Sequence, residues 1–427
     1  MKINSIKSQI LLYSISTGLN RGAILILMPI LLMIFSTSDF GNYNYIQIIF
    51  QFFSPLLGLN LATSISREGA INYKFGNYIL NKSSNWIFGV VLLLLCLYCM
   101  LSSKSLILLG LILGGIEALH NMQLNALRCM DKHIQYFTFS TVKTFGLILI
   151  FIIFFYFTSS HNLFDYIYLQ IIWVVLIFFV FSFLIKKNGE TYFPIKEAIL
   201  FSIILIPHSV AQWVITGAGR FFIKNLLSAE QLGIFSKVFN LSMILMIFNS
   251  GIGIIMPQYL IKEYDKWVEG SYRLKFYTYY SLFSILLFIS TLIFIKIDFY
   301  YLKIFNLNQN DYLFLFTSNF IGFYLLGFYY YYSNILFALR KNKLLSIITL
   351  IISLFSIIVN YFMIRYLNIL GASISIIIVY FFYLIVCIYY SIKFEKKIYN
   401  NIYKDILLIF ITILIIIFVS IIFLIIT

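Results

Sequence analysis

Residues 16–67 read STGLNRGAILILMPILLMIFSTSDFGNYNYIQIIFQFFSPLLGLNLATSISR. They form two apolar stretches, each long enough to cross a bilayer, which a short turn at Ser36–Gly41 is predicted to join. Asn20 and Arg21 interrupt the first stretch. In the second stretch, at about 100° per residue, a set of polar and small residues shares one narrow helix face. That set is Asn44, Gln47, Gln51, Ser54 and Gly58.

The composition of the chain is that of a membrane protein. Its 427 residues are 62% hydrophobic and 11% charged, whereas soluble domains carry about 25% charged residues. Apolar segments of the length needed to span a membrane recur along the chain and predict an all-α polytopic membrane protein. The thirteen segments cover residues 9–35, 42–65, 84–103, 105–127, 134–158, 163–186, 197–224, 231–260, 276–297, 312–338, 344–366, 369–392 and 404–426.

The distribution of lysine and arginine predicts the orientation. Most basic residues fall in alternate connections, which the positive-inside rule assigns to the cytoplasm together with the N-terminus. The net charge of +15 therefore reflects topology and contact with lipid headgroups, and no nucleic-acid partner is needed to explain it. The connections are also too short to hold a nucleotide-binding or catalytic domain, which excludes a built-in ATPase.

Short motifs recur in the same order in the two halves of the chain. Ala126–Arg128 is repeated as Ala338–Arg340, and Thr17–Arg21 is echoed by Thr216–Arg220. An even number of apolar segments separates the copies, which indicates parallel repeats. The sequence thus predicts two pseudo-symmetric six-helix lobes, residues 1–188 and 189–395, and an additional C-terminal transmembrane helix within 396–427.

Four basic residues are predicted to lie at membrane depth: Arg21, Lys143, Arg220 and Lys237. A charge at mid-membrane costs about 2.5–3.5 kcal/mol on insertion scales, and the sequence places only one acid, Glu117, at a similar depth. The excess of positive charge predicts a cavity that an anionic substrate visits. Glu117 is interpreted either as a structural partner of one cation or as a group that couples transport to an ion.

Polar residues on the same helices are the remaining candidates for substrate contact. They are Asn20, Gln47, Gln51, Asn121, His208 and Gln212. The stripes they form are expected to meet between the lobes. Cys96 and Cys99 lie in an apolar segment without a nearby histidine, so they are interpreted as packing residues, and no metal site, catalytic residue or cofactor is expected.

Several motifs, taken in order, resemble those of the O-antigen and polysaccharide flippases of the multidrug/oligosaccharidyl-lipid/polysaccharide (MOP) exporter superfamily. The resemblance spans residues 16 to 372. The motifs are Asp39–Tyr43, Gly58 with Arg67, Ile206–Pro207, Leu232–Lys237, Met256–Pro257, and Asn360 with Leu370–Ala372.

The resemblance implies a MATE-like fold (the fold of multidrug and toxin extrusion proteins) with two lobes and a central cationic cavity. It implies alternating access that carries a polyprenyl-pyrophosphate-linked oligosaccharide to the outer leaflet of the bacterial inner membrane. Expected partners are this lipid-linked substrate, the lipid bilayer and polysaccharide polymerase machinery. H⁺ or Na⁺ is a candidate coupling ion. The chain departs from the family in having thirteen segments instead of twelve, and in Arg220, where an acidic residue is expected.

Three other functions are weighed against the flippase. A multidrug exporter of cationic compounds should present acids in its cavity, and this chain has a cationic excess. A membrane polysaccharide polymerase or ligase usually carries a large outer loop, and no predicted outer connection exceeds about fifteen residues. A lipid scramblase or structural assembly partner stays compatible with the parallel repeat.

Overall fold

A computed structural model describes residues 6–100, 105–130, 132–184, 193–262, 264–269, 271–304 and 309–426. This part of the chain contains helices and no strand, as predicted. The α-helices are α1 (Ile6–Ile34), α2 (Thr37–Leu57), α3 (Leu61–Ile71), α4 (Tyr73–Met100), α5 (Leu106–Cys129), α6 (His133–Thr158), α7 (Leu163–Leu184), α8 (Ile195–Leu226), α9 (Ala229–Lys262), α10 (Tyr264–Glu269), α11 (Ser271–Ile297), α12 (Gln309–Ala338), α13 (Asn342–Phe394) and α14 (Ile402–Ile426). A π-helical turn, Asp298–Leu302, follows α11, and a 3₁₀ turn, Lys396–Asn401, precedes α14.

Within these residues, ten helices are long and apolar enough to cross a membrane, or eleven if the bent pair α2 and α3 forms one span. The difference between eleven and thirteen has two sources. α1 contributes a shorter apolar stretch, Gly18–Ile34. α13 runs for 53 residues, about 80 Å at 1.5 Å per residue, and therefore holds enough length for two crossings of a core about 30 Å thick.

The break inside α13 lies at Asn368, whose backbone is left-handed (φ 53°). It falls between the predicted segments 344–366 and 369–392, so the predicted division is confirmed. Gly371 explains how the chain turns back there. A side chain at this position would collide with the carbonyl of Met363, which lies about one turn before the break, so only glycine lets the two arms approach so closely.

A second break separates α2 from α3, which are bent by 54°. Leu59 and Asn60 both have positive φ, and the Asn60 amide donates to the carbonyl of Pro55 at 2.8 Å. The sequence predicts one continuous segment over 42–65, and the structure corrects this. The proline and the left-handed pair end α2 while keeping backbone groups hydrogen-bonded, which lipid requires.

The predicted turn at Ser36–Gly41 is shorter in the structure. Ser36 is the N-cap of α2, and its hydroxyl oxygen accepts a hydrogen bond from the Asp39 amide at 3.1 Å. The same hydroxyl donates to the Asp39 carboxylate at 2.7 Å. Because Ser36 caps the helix so effectively, Asp39 and Gly41 belong to the first turns of α2.

The chain divides into two compact units, Met1–Trp213 and Val214–Thr427. In the first unit, α5 packs against α2, α3, α4 and α7. The approach to α2 depends on Gly110, where a Cβ atom would lie 2.4 Å from the Ile49 side chain. Small residues at helix contacts are typical of membrane bundles. The predicted boundary between the lobes, at residues 188 and 189, lies outside the described residues, and the lobes stay a prediction.

In the second unit, α12 is the central helix, and 94% of its most apolar stretch is buried inside the protein. It packs against α9, α13 and α14. Aromatic rings fill the core around α12. Tyr324 stacks on Tyr280 with 5.5 Å between the ring centroids, and Phe328 meets Tyr280 edge to face at 5.1 Å. The aromatic content therefore forms a protein core in this unit as well as lipid-facing bulk.

An ion pair joins α14 to α11 within the second unit. Arg273, which is 1% exposed, donates from Nε to the Asp405 carboxylate at 2.6 Å and also through its terminal nitrogen. A further bond runs from Arg273 to the carbonyl of Ile398 at 3.1 Å. A buried charge contact therefore holds α14 to α11, in addition to apolar packing.

We expect Arg273→Ala to lower the free energy of unfolding by about 3–5 kcal/mol, because it leaves the buried Asp405 carboxylate without its partner. The control is Asp265→Asn, which breaks the pair with Lys397 (3.6 Å, side chains 79% and 53% exposed) and should cost less than about 1 kcal/mol. Thermal unfolding of the purified chain in detergent measures both. Equal destabilisation by the two variants would contradict the assignment.

Candidate functional site

The first unit contains an ion pair at membrane depth. Lys143 on α6 donates to the Glu117 carboxylate on α5 at 2.5 Å, and the two side chains are 20% and 22% exposed. Of the two interpretations of Glu117, the geometry is that of a structural partner of one cation. Lys143, predicted as an anion-binding residue, is therefore electrically compensated. The pair needs no substrate charge to be stable.

Polar contacts extend this pair into a small cluster. Asn20 accepts a hydrogen bond from the Thr144 hydroxyl at 2.8 Å, which places α1 beside the Lys143 turn of α6. The indole of Trp173 donates to the Lys143 carbonyl at 2.9 Å and fixes that turn. The side chain of Arg21 lies outside the described residues, so the predicted site there stays a prediction.

His120 lies one turn from Glu117 on α5 and is 1% exposed. Its ring nitrogens have no hydrogen-bond partner among the described residues. His208 on α8 is partly buried, and its Nδ1 likewise has no partner in that part of the chain. Within the described residues no hydrogen bond joins either ring to the Glu117–Lys143 pair, although His120 is close enough to Lys143 to interact with it electrostatically.

The other predicted polar residues of the first unit lie in separate surroundings. Gln47 donates to Gln170 at 3.3 Å, Gln51 is exposed, and Gln212 is partly buried with polar contacts of its own. Asn121 lines a cavity of about 120 Å³ at the α2–α3 break, together with Asn60. Within the described residues, the structure brings Asn20, Lys143 and Glu117 together, and no described contact joins Gln47, Gln51 or Asn121 to them.

Arg220 on α8 is the charged residue of greatest interest in the second unit. It is 9% exposed, and its guanidinium carbon lies 4.6 Å from the centre of the Phe239 ring. Its Nε has no hydrogen-bond partner, and no carboxylate of the described residues forms an ion pair with it. Tyr380 is close enough to interact with it electrostatically.

The residue before Arg220, Gly219, lets α8 and Asn360 approach closely. A Cβ atom on the preceding residue, Gly219, would lie 2.8 Å from Oδ1 of Asn360. The Asn360 amide nitrogen donates to the carbonyl of Ser356 at 2.8 Å, and Oδ1 accepts from Ser375 at 2.6 Å. The asparagine is therefore held in a fixed orientation beside α8.

Lys237 on α9 is buried, with 5% of its surface exposed, and interacts electrostatically with the carboxylate of Asp298. The sequence reasoning did not single out Asp298, because it directly follows the predicted segment 276–297 and no helix periodicity points to it. The π-helical turn carries it inward, where it is 4% exposed.

The four predicted cations therefore differ in their surroundings. Lys143 and Lys237 each have an acidic neighbour, and the side chain of Arg21 is outside the described residues. Arg220 has aromatic neighbours and no acid in the part of the chain that is described. A guanidinium without an acidic neighbour can bind a phosphate or carboxylate by donating two parallel hydrogen bonds.

Neither a protein-family model nor a curated protein matches the sequence. Solved structures with the same fold do match. A multidrug resistance MATE family transporter of the MOP superfamily, in an outward-facing conformation, aligns with a TM-score of 0.64 and 15% identity, over 93% of this chain and 98% of that one. The lipid II flippase MurJ aligns with a TM-score of 0.63 and 18% identity, over 97% of this chain and 98% of that one.

A third structure is a MOP superfamily transporter from Pyrococcus furiosus, described as having a binding pocket of reversed polarity that suggests a different function. It aligns with a TM-score of 0.58 and 14% identity, over 90% of this chain and 95% of that one. At these identities the likeness shows the fold. The chain is an all-helical, multi-pass membrane protein with the fold of MOP superfamily transporters.

Proposed function

We propose that this chain is a flippase that moves polyprenyl-pyrophosphate-linked oligosaccharide repeat units from the cytoplasmic to the outer leaflet by alternating access. The repeat units would serve the assembly of a surface polysaccharide such as O-antigen or capsule. The protein would lie in the bacterial inner membrane with its N-terminus in the cytoplasm, and polysaccharide polymerase machinery would receive its product.

The observation that carries the proposal is the state of Arg220. It is 9% exposed and has no acidic partner among the described residues, so its charge is stable only if an anion comes to it or water reaches it. A pyrophosphate matches the planar fork of a guanidinium, and it is the one charged group that every lipid-linked repeat unit shares. The sugars could then vary without changing this contact.

The similar structures support transport of a lipid-linked substrate without deciding it. One of them is a lipid II flippase, and another is a multidrug resistance transporter, so both activities occur on this fold. The sign of the buried charge favours the flippase activity. An exporter of cationic drugs needs an unpaired acid to bind them, whereas Glu117 is paired with Lys143 at 2.5 Å. The buried charge that has no acidic partner among the described residues, Arg220, is positive.

We expect Arg220→Gln to reduce flipping at least about thirtyfold, because truncating a buried charge–phosphate contact costs about 2–5 kcal/mol. Arg220→Lys keeps the charge but loses the bidentate geometry, so it should retain partial activity. The measurement is the leaflet location of radiolabelled lipid-linked oligosaccharide in a strain that lacks this protein and carries each variant. Arg365→Gln is the matched control, since Arg365 is an exposed arginine of the same unit that bonds only to Tyr361, at 2.9 Å.

The stability of the purified variants separates a binding defect from misfolding. Arg220→Gln removes a buried charge together with its contact to the Phe239 ring, worth about 0.5–2 kcal/mol, and its interaction with Tyr380. Because the loss of these contacts is offset by the removal of a buried charge, the unfolding temperature should stay near that of the wild type. Full flipping by Arg220→Gln would contradict the proposal. So would repeat units that reach the outer leaflet without the protein while only the chain length changes, the result expected of a polymerase. Efflux of cationic dyes that depends on the protein would favour the exporter.

The ion pair of the first unit gives a second prediction, about coupling to H⁺ or Na⁺. Glu117→Gln leaves Lys143 without its partner, and we expect this variant to reduce both stability and transport. The loss of stability should be smaller than the 3–5 kcal/mol expected for a fully buried pair, because water screens these side chains. The double variant Glu117→Gln/Lys143→Gln removes both charges and should recover most of the stability and most of the transport. Transport in vesicles with imposed ion gradients measures the effect. A double variant that is stable yet no longer responds to the gradient would instead assign coupling to Glu117.

A further inference from the structure

A large groove opens along the second unit between α9, α10 and α11. Its volume is about 660 Å³. Seven of the nine residues that line it are aromatic, one is aliphatic and one is charged. They are Phe248, Ile252, Trp267, Tyr272, Lys275, Phe276, Tyr279, Tyr280 and Phe283.

The walls of this groove are fixed by contacts behind them. The Tyr280 hydroxyl donates to Asn249 at 2.9 Å. The ring of Phe276 stacks parallel to the Tyr280 ring, with 5.7 Å between the ring centroids. At the far end, Phe248 and Phe283 stack at 4.2 Å across α9 and α11. The groove is therefore a preformed apolar surface that a flexible chain can enter without rearrangement.

The length of the groove matches one leaflet of a bilayer. Lys275 and Phe283 are eight residues apart on α11, which is about 12 Å along a helix, and the hydrocarbon region of one leaflet is about 15 Å deep. Trp267 and Tyr272 lie at the Lys275 end. Such amphipathic rings are enriched where the headgroups meet the hydrocarbon, so the groove runs from the interface toward the bilayer centre.

The single charge of the groove is available to a ligand. Lys275 is exposed and forms no ion pair or hydrogen bond with the described residues. Asp265, on the neighbouring α10, lies 3.6 Å from Lys397. The positive-inside rule assigns this end of α11 to the cytoplasm, where anionic lipids supply phosphate groups.

We propose that this groove binds one anionic phospholipid of the cytoplasmic leaflet, with an acyl chain along the aromatic wall and its phosphate at Lys275. The apolar wall selects for a hydrocarbon chain, and the lysine selects for negative charge at its end. The site is independent of the proposed flippase activity, since it does not include Arg220.

The test uses the full chain purified in mild detergent and incubated with phosphatidylglycerol or phosphatidylcholine of equal chain length. Native mass spectrometry counts the lipids that stay bound. We expect one phosphatidylglycerol to be retained in preference to phosphatidylcholine, and Lys275→Gln to reduce this preference about fivefold, the fold-change that corresponds to about 1 kcal/mol per basic residue at an anionic surface. Ile252→Trp fills the groove and should reduce retention of both lipids.

Two controls lie on the same helix outside the groove. Lys296→Gln removes a lysine at the opposite end of α11, and Ile293→Trp adds bulk at a position that is 53% exposed; neither should change retention. Equal retention of the two lipids by the wild type, or equal loss in the control variants, would overturn the proposal by showing ordinary annular lipid. Displacement of phosphatidylglycerol by equimolar polyprenyl phosphate would overturn it in favour of a polyprenyl site.

Discussion

The free-energy cost of holding a charge away from water governs where the buried charged residues of this chain lie. Arg273 is 1% exposed and lies against Asp405, Lys143 against Glu117, and Lys237 near Asp298. Each pair joins different helices, so compensation of charge also positions those helices. Among the described cations that are buried, Arg220 is the one without an acidic neighbour, and the proposed function depends on that difference.

Backbone hydrogen bonding is the second constraint, because lipid offers no partner to a free amide or carbonyl. The break between α2 and α3 keeps its backbone hydrogen bonds. At the end of α2, the Gly58 and Asn60 amides return to the carbonyls of Ser54 and Pro55. These returning bonds allow a 54° bend within an otherwise apolar pair of helices.

The sequence predicts most of the fold, because membrane-spanning helices are long, apolar and separated by basic connections. The division of α13 near Asn368 and the helical class are examples. Contacts between distant residues are not predictable in the same way. Arg273 and Asp405 are 132 residues apart, and in the sequence both lie beside apolar segments, where a charge normally remains in the headgroup region. The sequence predicts a cation partner for Glu117 as one of two alternatives and does not identify it as Lys143, because helix periodicity gives the face of each helix but not which faces meet.

The C-terminal helix α14 shows how few polar contacts can determine a register. Its remaining surface is mostly isoleucine, leucine and phenylalanine, which pack against protein and lipid with similar energy. Asp405 accepts from Arg273 near one end, and Ser420 lies 2.9 Å from Thr317 near the other. The two contact residues on α14, Asp405 and Ser420, are fifteen residues apart, about 22 Å along the helix axis. Inserting or deleting one residue between them would turn one end by about 100° relative to the other, so the spacing fixes both the depth and the rotation of α14.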